Sequence, residues 1–315
     1  MKIMMIGNKE SGKTTYMASA FGLLENGQNG FYLKTDASSN QWFKKLYHAI
    51  EQGQYPNPSD KRDRHQFELY HHQKKILDFE WVDYYGGVIT ESSATTLTED
   101  IESADGMILF FETPALLENK PSLHQFRRIL SLITKKLTEI DGGLFSVIIV
   151  ITKTDMVPAG TLLEELSAPF RTFIESVENH DHIYTRVVPV SCTSKGFFNV
   201  ELPLLDILDS GMKIAYLTAA LQAKEYAESY QSYNNQRGVF DWVFSRLFGA
   251  ATNGELAQGY LAQAREQIAL FESIEEPTKR LAEYVAEYTI RLPWEQEAQA
   301  PVKKRTADSQ RLIEL

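Results

Sequence analysis

The sequence predicts an α/β fold: a mainly parallel, helix-covered sheet of six strands over residues 1–200, followed by an α-helical module. Three observations predict it. Apolar runs short enough for buried strands alternate with segments of helical period through the first part of the chain. The first run, Lys2-Ile3-Met4-Met5-Ile6, leads straight into Gly7-Asn8-Lys9-Glu10-Ser11-Gly12-Lys13-Thr14, a complete G-x-x-x-x-G-K-[ST] phosphate-binding loop. After Gly196 the strand signal stops and only helical patterning remains.

The totals bound the function classes. A chain of 315 residues has room for about two domains. A net charge of −10 argues against broad nucleic-acid binding. The single cysteine, Cys192, excludes an intramolecular disulfide and fits a reducing, cytoplasmic setting. No signal peptide is read before the first strand, and no run of 18 apolar residues is present, which argues against stable membrane insertion.

The first strand, loop and following helix satisfy the context that the loop motif requires. Met17, Ala20, Phe21 and Leu24 recur at helical spacing behind the loop. Gly7 and Gly12 let the backbone curl so that the N–H groups of Lys9, Glu10, Ser11, Gly12, Lys13, Thr14 and Thr15 converge on phosphate oxygens at a helix N-terminus. Lys13 would reach the outer phosphates and Thr14 would hold Mg²⁺. This predicts nucleoside triphosphate binding without naming the base.

Further along, 31–34 is a short apolar piece, and Ser38 or Ser39 could cap a helix carrying Trp42, Phe43, Leu46 and Ile50. Residues 53–64 are polar and contain Pro56 and Pro58, a surface loop. Segments 66–70 and 76–82 read as an antiparallel hairpin at one edge of the sheet. The second of these strands ends at Asp83, followed by Tyr84-Tyr85-Gly86. A D-x-x-G at a strand's carboxyl end places a carboxylate where it can reach Mg²⁺ and a Gly86 N–H where it can meet a γ-phosphate. A helix over 93–103, a strand over 106–111 and a helix over 122–140 follow; the last has Leu123, Phe126, Leu130, Ile133, Leu137 and Ile140 on one face. Segment 145–151 is the most apolar strand and is expected at the centre. Residues 162–177 are helical with a break at Pro169, and 186–190 form the last strand.

Thr152-Lys153-Thr154-Asp155 and Ser191-Cys192-Thr193 each follow a strand on the ligand side. In order, the phosphate loop, D-x-x-G, [NT]-K-x-D and S-[AC]-x resemble the motifs of Ras-like and translation-factor GTPases (TRAFAC-type P-loop GTPases), over about residues 1–200. The resemblance implies GTP/GDP with Mg²⁺, and hydrolysis of GTP to GDP and phosphate. It implies that Asp155 bonds guanine N1–H and the 2-amino group, that Lys153 lies over the purine, and that the backbone near Cys192 bonds O6. Thr152 stands where asparagine is commoner; its hydroxyl can still tie the segment to the phosphate loop.

Two departures follow from the resemblance. The family closes a loop over Mg²⁺ with a threonine; here Ser59 is the nearest equivalent and Thr35 a rival. Many relatives place a glutamine just after D-x-x-G, where this chain has Gly87. Slow turnover, or a substitute from Arg62, Arg64 or Glu91, is therefore expected. A P-loop ATPase and a scaffold that binds nucleotide without hydrolysing it remain alternatives.

Beyond residue 200, 203–233 reads as helix, 239–248 as a strongly apolar segment, and 254–292 as a long helix with a stripe of Leu261, Ala264, Ile268, Phe271, Leu281, Val285 and Tyr288, kinked at Pro277. Residues 201–292 are expected to form a helical hairpin; a protein partner is expected at the two switch loops or at this helical module, with homo-oligomerisation through the helices as a further option. Residues 293–315 are expected to be a polar tail.

Overall fold

The computed structural model describes residues 1–57, 63–85, 99–118, 130–131, 133–135, 137, 145–180, 183–213 and 258–287. The chain divides into two compact units. One is built on Met1–Leu208, with the described residues 284–287, and the other on Asp209–Glu283.

The first unit is organised by a seven-stranded sheet in the order β2-β3-β4-β1-β5-β6-β7. Its strands are β1 (Lys2–Gly7), β2 (Phe31–Thr35), β3 (Asp63–His71), β4 (Lys74–Tyr85), β5 (Gly106–Glu112), β6 (Phe145–Thr152) and β7 (Ile183–Pro189). The β1–β4, β1–β5, β5–β6 and β6–β7 pairs are parallel, and β2–β3 and β3–β4 are antiparallel. The sheet is thus mainly parallel, as expected, but has one strand more than the six anticipated. The addition is β2, which displaces the β3–β4 hairpin from the margin. Its signal is faint because only Phe31 and Leu33 are buried along it. β6 is buried at every position, yet it lies next to the far margin, and β1 takes the middle. A fully apolar strand reports that both its faces are covered, not that it is central.

Helix α1 (Lys13–Glu25) begins at the loop lysine, and α2 (Ala37–Glu51) follows β2. The cap of α2 is Asp36 rather than either serine. Its carboxylate accepts from the Ser38 and Ser39 N–H groups, both at 3.0 Å. The helical stretch broken at Pro169 resolves into Leu163–Ser167, a 3₁₀ turn Ala168–Phe170 and Arg171–Glu178. Also not anticipated were the short helix Thr113–Leu117, the 3₁₀ turn Thr154–Met156 and a separate two-stranded hairpin, β8 (Ser191–Thr193) with β9 (Gly196–Phe198). Of the helices expected over 93–103 and 122–140, only residues 99–103, helical to 102, and parts of 130–137 are described. There Ile101, Leu130, Ile133 and Leu137 are buried.

One face of the sheet carries Met4, Ile6, Leu109, Ile149 and Ile151 against Leu166, Phe170 and Val177. The other carries a file of buried rings. Tyr16 meets Phe110 at 5.1 Å and Trp81 at 6.1 Å, and Phe67 lies 5.6 Å from Trp81 and 5.5 Å from Phe43. This file runs from beneath the phosphate loop to α2. Residues 202–208 are helical and buried, with Ile207 against Gly106 of β5.

In the second unit the described residues are 209–213 and 258–283. The helix Gln258–Glu287 remains one element through Pro277, and Ile268, Leu281 and Val285 on the expected stripe are buried. Segment 239–248 and the tail 293–315 lie outside the described residues. Among the described residues, no helix is long and apolar enough to cross a membrane.

Candidate functional site

The site sits at the carboxyl ends of β1, β4, β6 and β7. One cavity of about 560 Å³ is lined by Lys9–Thr15 and Asp83 at one end, and by Thr152, Lys153, Asp155, Met156, Val190, Cys192 and Thr193 at the other.

The phosphate loop owes its shape to three backbone features. Gly7 closes β1 against β5: a Cβ there would fall 2.5 Å from Ser11 Oγ and 2.8 Å from Phe110 Cβ, so no side chain fits. Glu10 and Gly12 have positive φ, 67° and 88°, which turns successive N–H groups inward. α1 has no side-chain cap at Gly12, which leaves its first-turn N–H groups to meet an anion. Lys13 is buried and curls back along the loop, donating to Gly7 O at 3.0 Å and Asn8 O at 3.3 Å. Burial lowers its pKa, with the Asp83 carboxylate opposing that shift.

Asp83, near the end of β4, is 4% exposed and its Oδ1 has no hydrogen-bond partner. Burial pushes its carboxyl up to about 6; Lys13 opposes this and Asp63 adds to it. A buried carboxylate oxygen without a donor, in the same cavity as the Thr14 hydroxyl, is the hard-oxygen arrangement that suits Mg²⁺.

At the other end, Thr152 Oγ1 lies 2.8 Å from Ser11 O and 3.2 Å from Phe111 O, so the Thr152–Asp155 segment is tied to the phosphate loop through one hydroxyl. Thr113 Oγ1 donates to Thr152 O at 2.8 Å. Lys153 has a left-handed backbone, φ 58°, and pairs with Glu112 at the end of β5. Asp155 Oδ1 accepts from Ser191 Oγ at 2.9 Å, which aims the carboxylate. Ser191 is itself buried behind the wall that Cys192 and Thr193 form. Cys192 as a residue is half-buried, and burial pushes its thiol up to about 12.

Not every expected residue joins this group. Arg64 stands in β3, half-exposed, 3.6 Å from Glu80, and is not among the cavity-lining residues; the strand begins earlier than the loop reading allowed. Thr35 donates to Gln66 O at 2.6 Å within the β2–β3 pair and also lies away from the cavity. Ser59, Arg62, Gly86, Gly87 and Glu91 lie outside the described residues. Conversely, Tyr55, Pro56, Asn57 and Met156 line the cavity without having been anticipated. Glu112 was also missed, although its place at the ligand-side end of a strand was a usable signal.

The family model for Double-GTPase 1 matches residues 4–139, a span that includes the phosphate loop and Asp83. The matched span is less than half of the chain, and it is similar to that family. No curated protein matches the chain. Among solved structures, the chain is similar to a chain of the signal recognition particle receptor SRb-GTP/SRX complex from Chaetomium thermophilum. The identity is 13%, over 62% of this chain and 92% of that one, with a TM-score of 0.41. It is also similar to the Arl6 BBS3 small GTPase from Trypanosoma brucei, at 14% identity over 68% of this chain and 98% of that one, with a TM-score of 0.41.

Proposed function

We propose that the domain binds GTP with Mg²⁺, hydrolyses it slowly to GDP and phosphate, and reports which nucleotide is bound to a protein partner. The observation that carries this reading is that one cavity is lined both by the phosphate loop and by Asp155, with room between them for one nucleotide. A carboxylate held by Ser191 matches the adjacent donors of guanine and leaves adenine badly paired, the kind of mismatch that discriminates strongly.

In this reading the N–H groups of Lys9–Thr15 hold the phosphates, and the Lys13 ammonium leaves its two carbonyls to meet the outer ones. Thr14 and Asp83 would hold the metal, which supplies positive charge to the phosphate oxygens. Water attacks the γ-phosphorus, the bond to the β–γ bridging oxygen breaks, and GDP and phosphate leave. Lys13 offsets the charge that builds on that oxygen. Gly86 and Ser59, expected to sense the third phosphate, follow closely after Tyr85 and Asn57. Gly87 offers no side chain to orient the water, which supports slow turnover, or the scaffold alternative if hydrolysis is absent. With Arg64 committed to β3, Arg62 and Glu91 are the remaining in-chain candidates for that task. The helical unit, with its buried stripe, is the candidate route to the partner.

Calorimetry with GTP and ATP tests the reading. A clear preference for GTP is expected, and Asp155→Asn should move the preference toward xanthosine nucleotides. Equal binding of GTP and ATP would refute guanine recognition. Single-turnover phosphate release separates a slow GTPase from a scaffold.

A further inference from the structure

The β8–β9 hairpin, which carries Ser191, Cys192 and Thr193, has strands of only three residues and, among the described residues, pairs with no other strand. Two-stranded ribbons of this size do not hold themselves together in water. Its order must therefore come from what packs against it: α1, α2 and the 3₁₀ turn Thr154–Met156 all meet β8, and α2 does so with an aromatic stack. Tyr47 of α2 stacks on Phe197 of β9, ring centroids 5.4 Å apart and planes 21° from parallel. Phe197 is the direct cross-strand partner of Cys192. The Tyr47 ring is clamped from behind by α1 at Gly22, where a Cβ would fall 2.2 Å from Tyr47 Cγ and 2.3 Å from Cδ2. Just past the end of α2, Gly53 (φ +78°) abuts the hairpin turn, with a Cβ position 3.4 Å from Ser194 Oγ. Beyond Gly53 the chain turns into the cavity with Tyr55, Pro56 and Asn57. α2 thus touches the hairpin at its strand, the residue just beyond it meets the turn, and the chain then leads into another part of the cavity wall.

We propose that α2 is a brace of the base-binding hairpin, with Tyr47 and Phe197 as positioning residues that keep β8–β9 in the arrangement that retains guanine nucleotide. Neither residue lines the cavity; they act through Ser191 and Cys192. The inference rests on the guanine-binding reading above. Without the stack the hairpin samples other arrangements, and apparent affinity falls in proportion to the competent fraction.

The test uses the full chain, fluorescent GDP and inorganic pyrophosphate, which engages the phosphate loop but not the hairpin. Tyr47→Ala should release GDP about tenfold faster, which is about 1.4 kcal/mol and within the range for an aromatic pair. Tyr47→Phe keeps the ring and should stay within about twofold of wild type on the same scale. Gly22→Ala should also speed release by displacing the ring, although alanine favours the helix itself. Pyrophosphate affinity should not change in any of them. Should Tyr47→Ala unfold the domain, Phe197→Leu asks the same question from the hairpin side. Wild-type release rates in Tyr47→Ala or Phe197→Leu, or equal losses for GDP and pyrophosphate, would overturn the brace. A wild-type protein that binds GDP no better than ADP would instead remove the guanine reading beneath it.

Discussion

Thr152→Val tests whether one hydroxyl joins the two halves of the site. Thr152 is 5% exposed, and its oxygen lies within bonding distance of two carbonyls, Ser11 O at 2.8 Å and Phe111 O at 3.2 Å. A hydroxyl donates one proton, so the shorter contact takes most of it. Valine keeps the shape, removes the donor, and leaves a buried carbonyl of the phosphate loop short of a partner. Losing such a bond costs about 1–3 kcal/mol. Part of this should appear as lower stability in urea unfolding. Part should appear as GDP release faster by about tenfold for each 1.4 kcal/mol that falls on binding, because the two ends of the ligand are no longer held in fixed register. Thr152→Ser retains the donor and should stay near wild type. Thr152→Asn brings two N–H donors, enough for both carbonyls, and should retain GDP at least as well. If Thr152→Val matches wild type in both unfolding and GDP release, the tie between the loops is immaterial and the reasoning fails.

Two further outcomes follow from the buried titrating groups. Asp83 is held at about 6 against an ordinary 3.8, so its stabilising contribution is complete below about pH 4 and is lost as pH rises through about 6, a cost of about 3 kcal/mol at high pH. In nucleotide-stripped, chelated protein, Asp83→Asn should therefore be the more stable form at about pH 8, by about 1–3 kcal/mol, with the difference closing near pH 4. The same change should abolish the Mg²⁺ dependence of nucleotide affinity, and an equal or lower stability at the higher pH would contradict the assignment. Cys192, with its thiol pushed up to about 12, should react slowly with iodoacetamide at neutral pH and more slowly still with GDP bound. Equal labelling rates with and without GDP would exclude it from the nucleotide wall.

Much of the site was legible because its chemistry is local in sequence. Gly7–Thr14 declares a backbone cradle by spacing alone, and Asp83, Thr152–Asp155 and Ser191–Thr193 each follow a run that reads as a buried strand. What escaped was set by packing between distant segments. β2 has only two buried side chains and becomes a strand because β3 is there to pair with it. Arg64 looked like loop because proline and polar residues precede it, but it is held in β3 opposite Val82. Asp36 outcompetes Ser38 and Ser39 as a cap because its carboxylate reaches both of their N–H groups. Tyr55–Asn57 reach the cavity because of where α2 ends, which no motif encodes.

The ring file beneath the phosphate loop has a practical corollary. Trp81 is fully enclosed, and it touches Tyr16, which lies one residue past Thr15 at the loop's exit. An indole shut away from water emits at short wavelength, and a neighbouring phenol can pass excitation to it. The domain therefore carries its own optical gauge, and movement of the loop can be followed by ultraviolet emission without any attached dye.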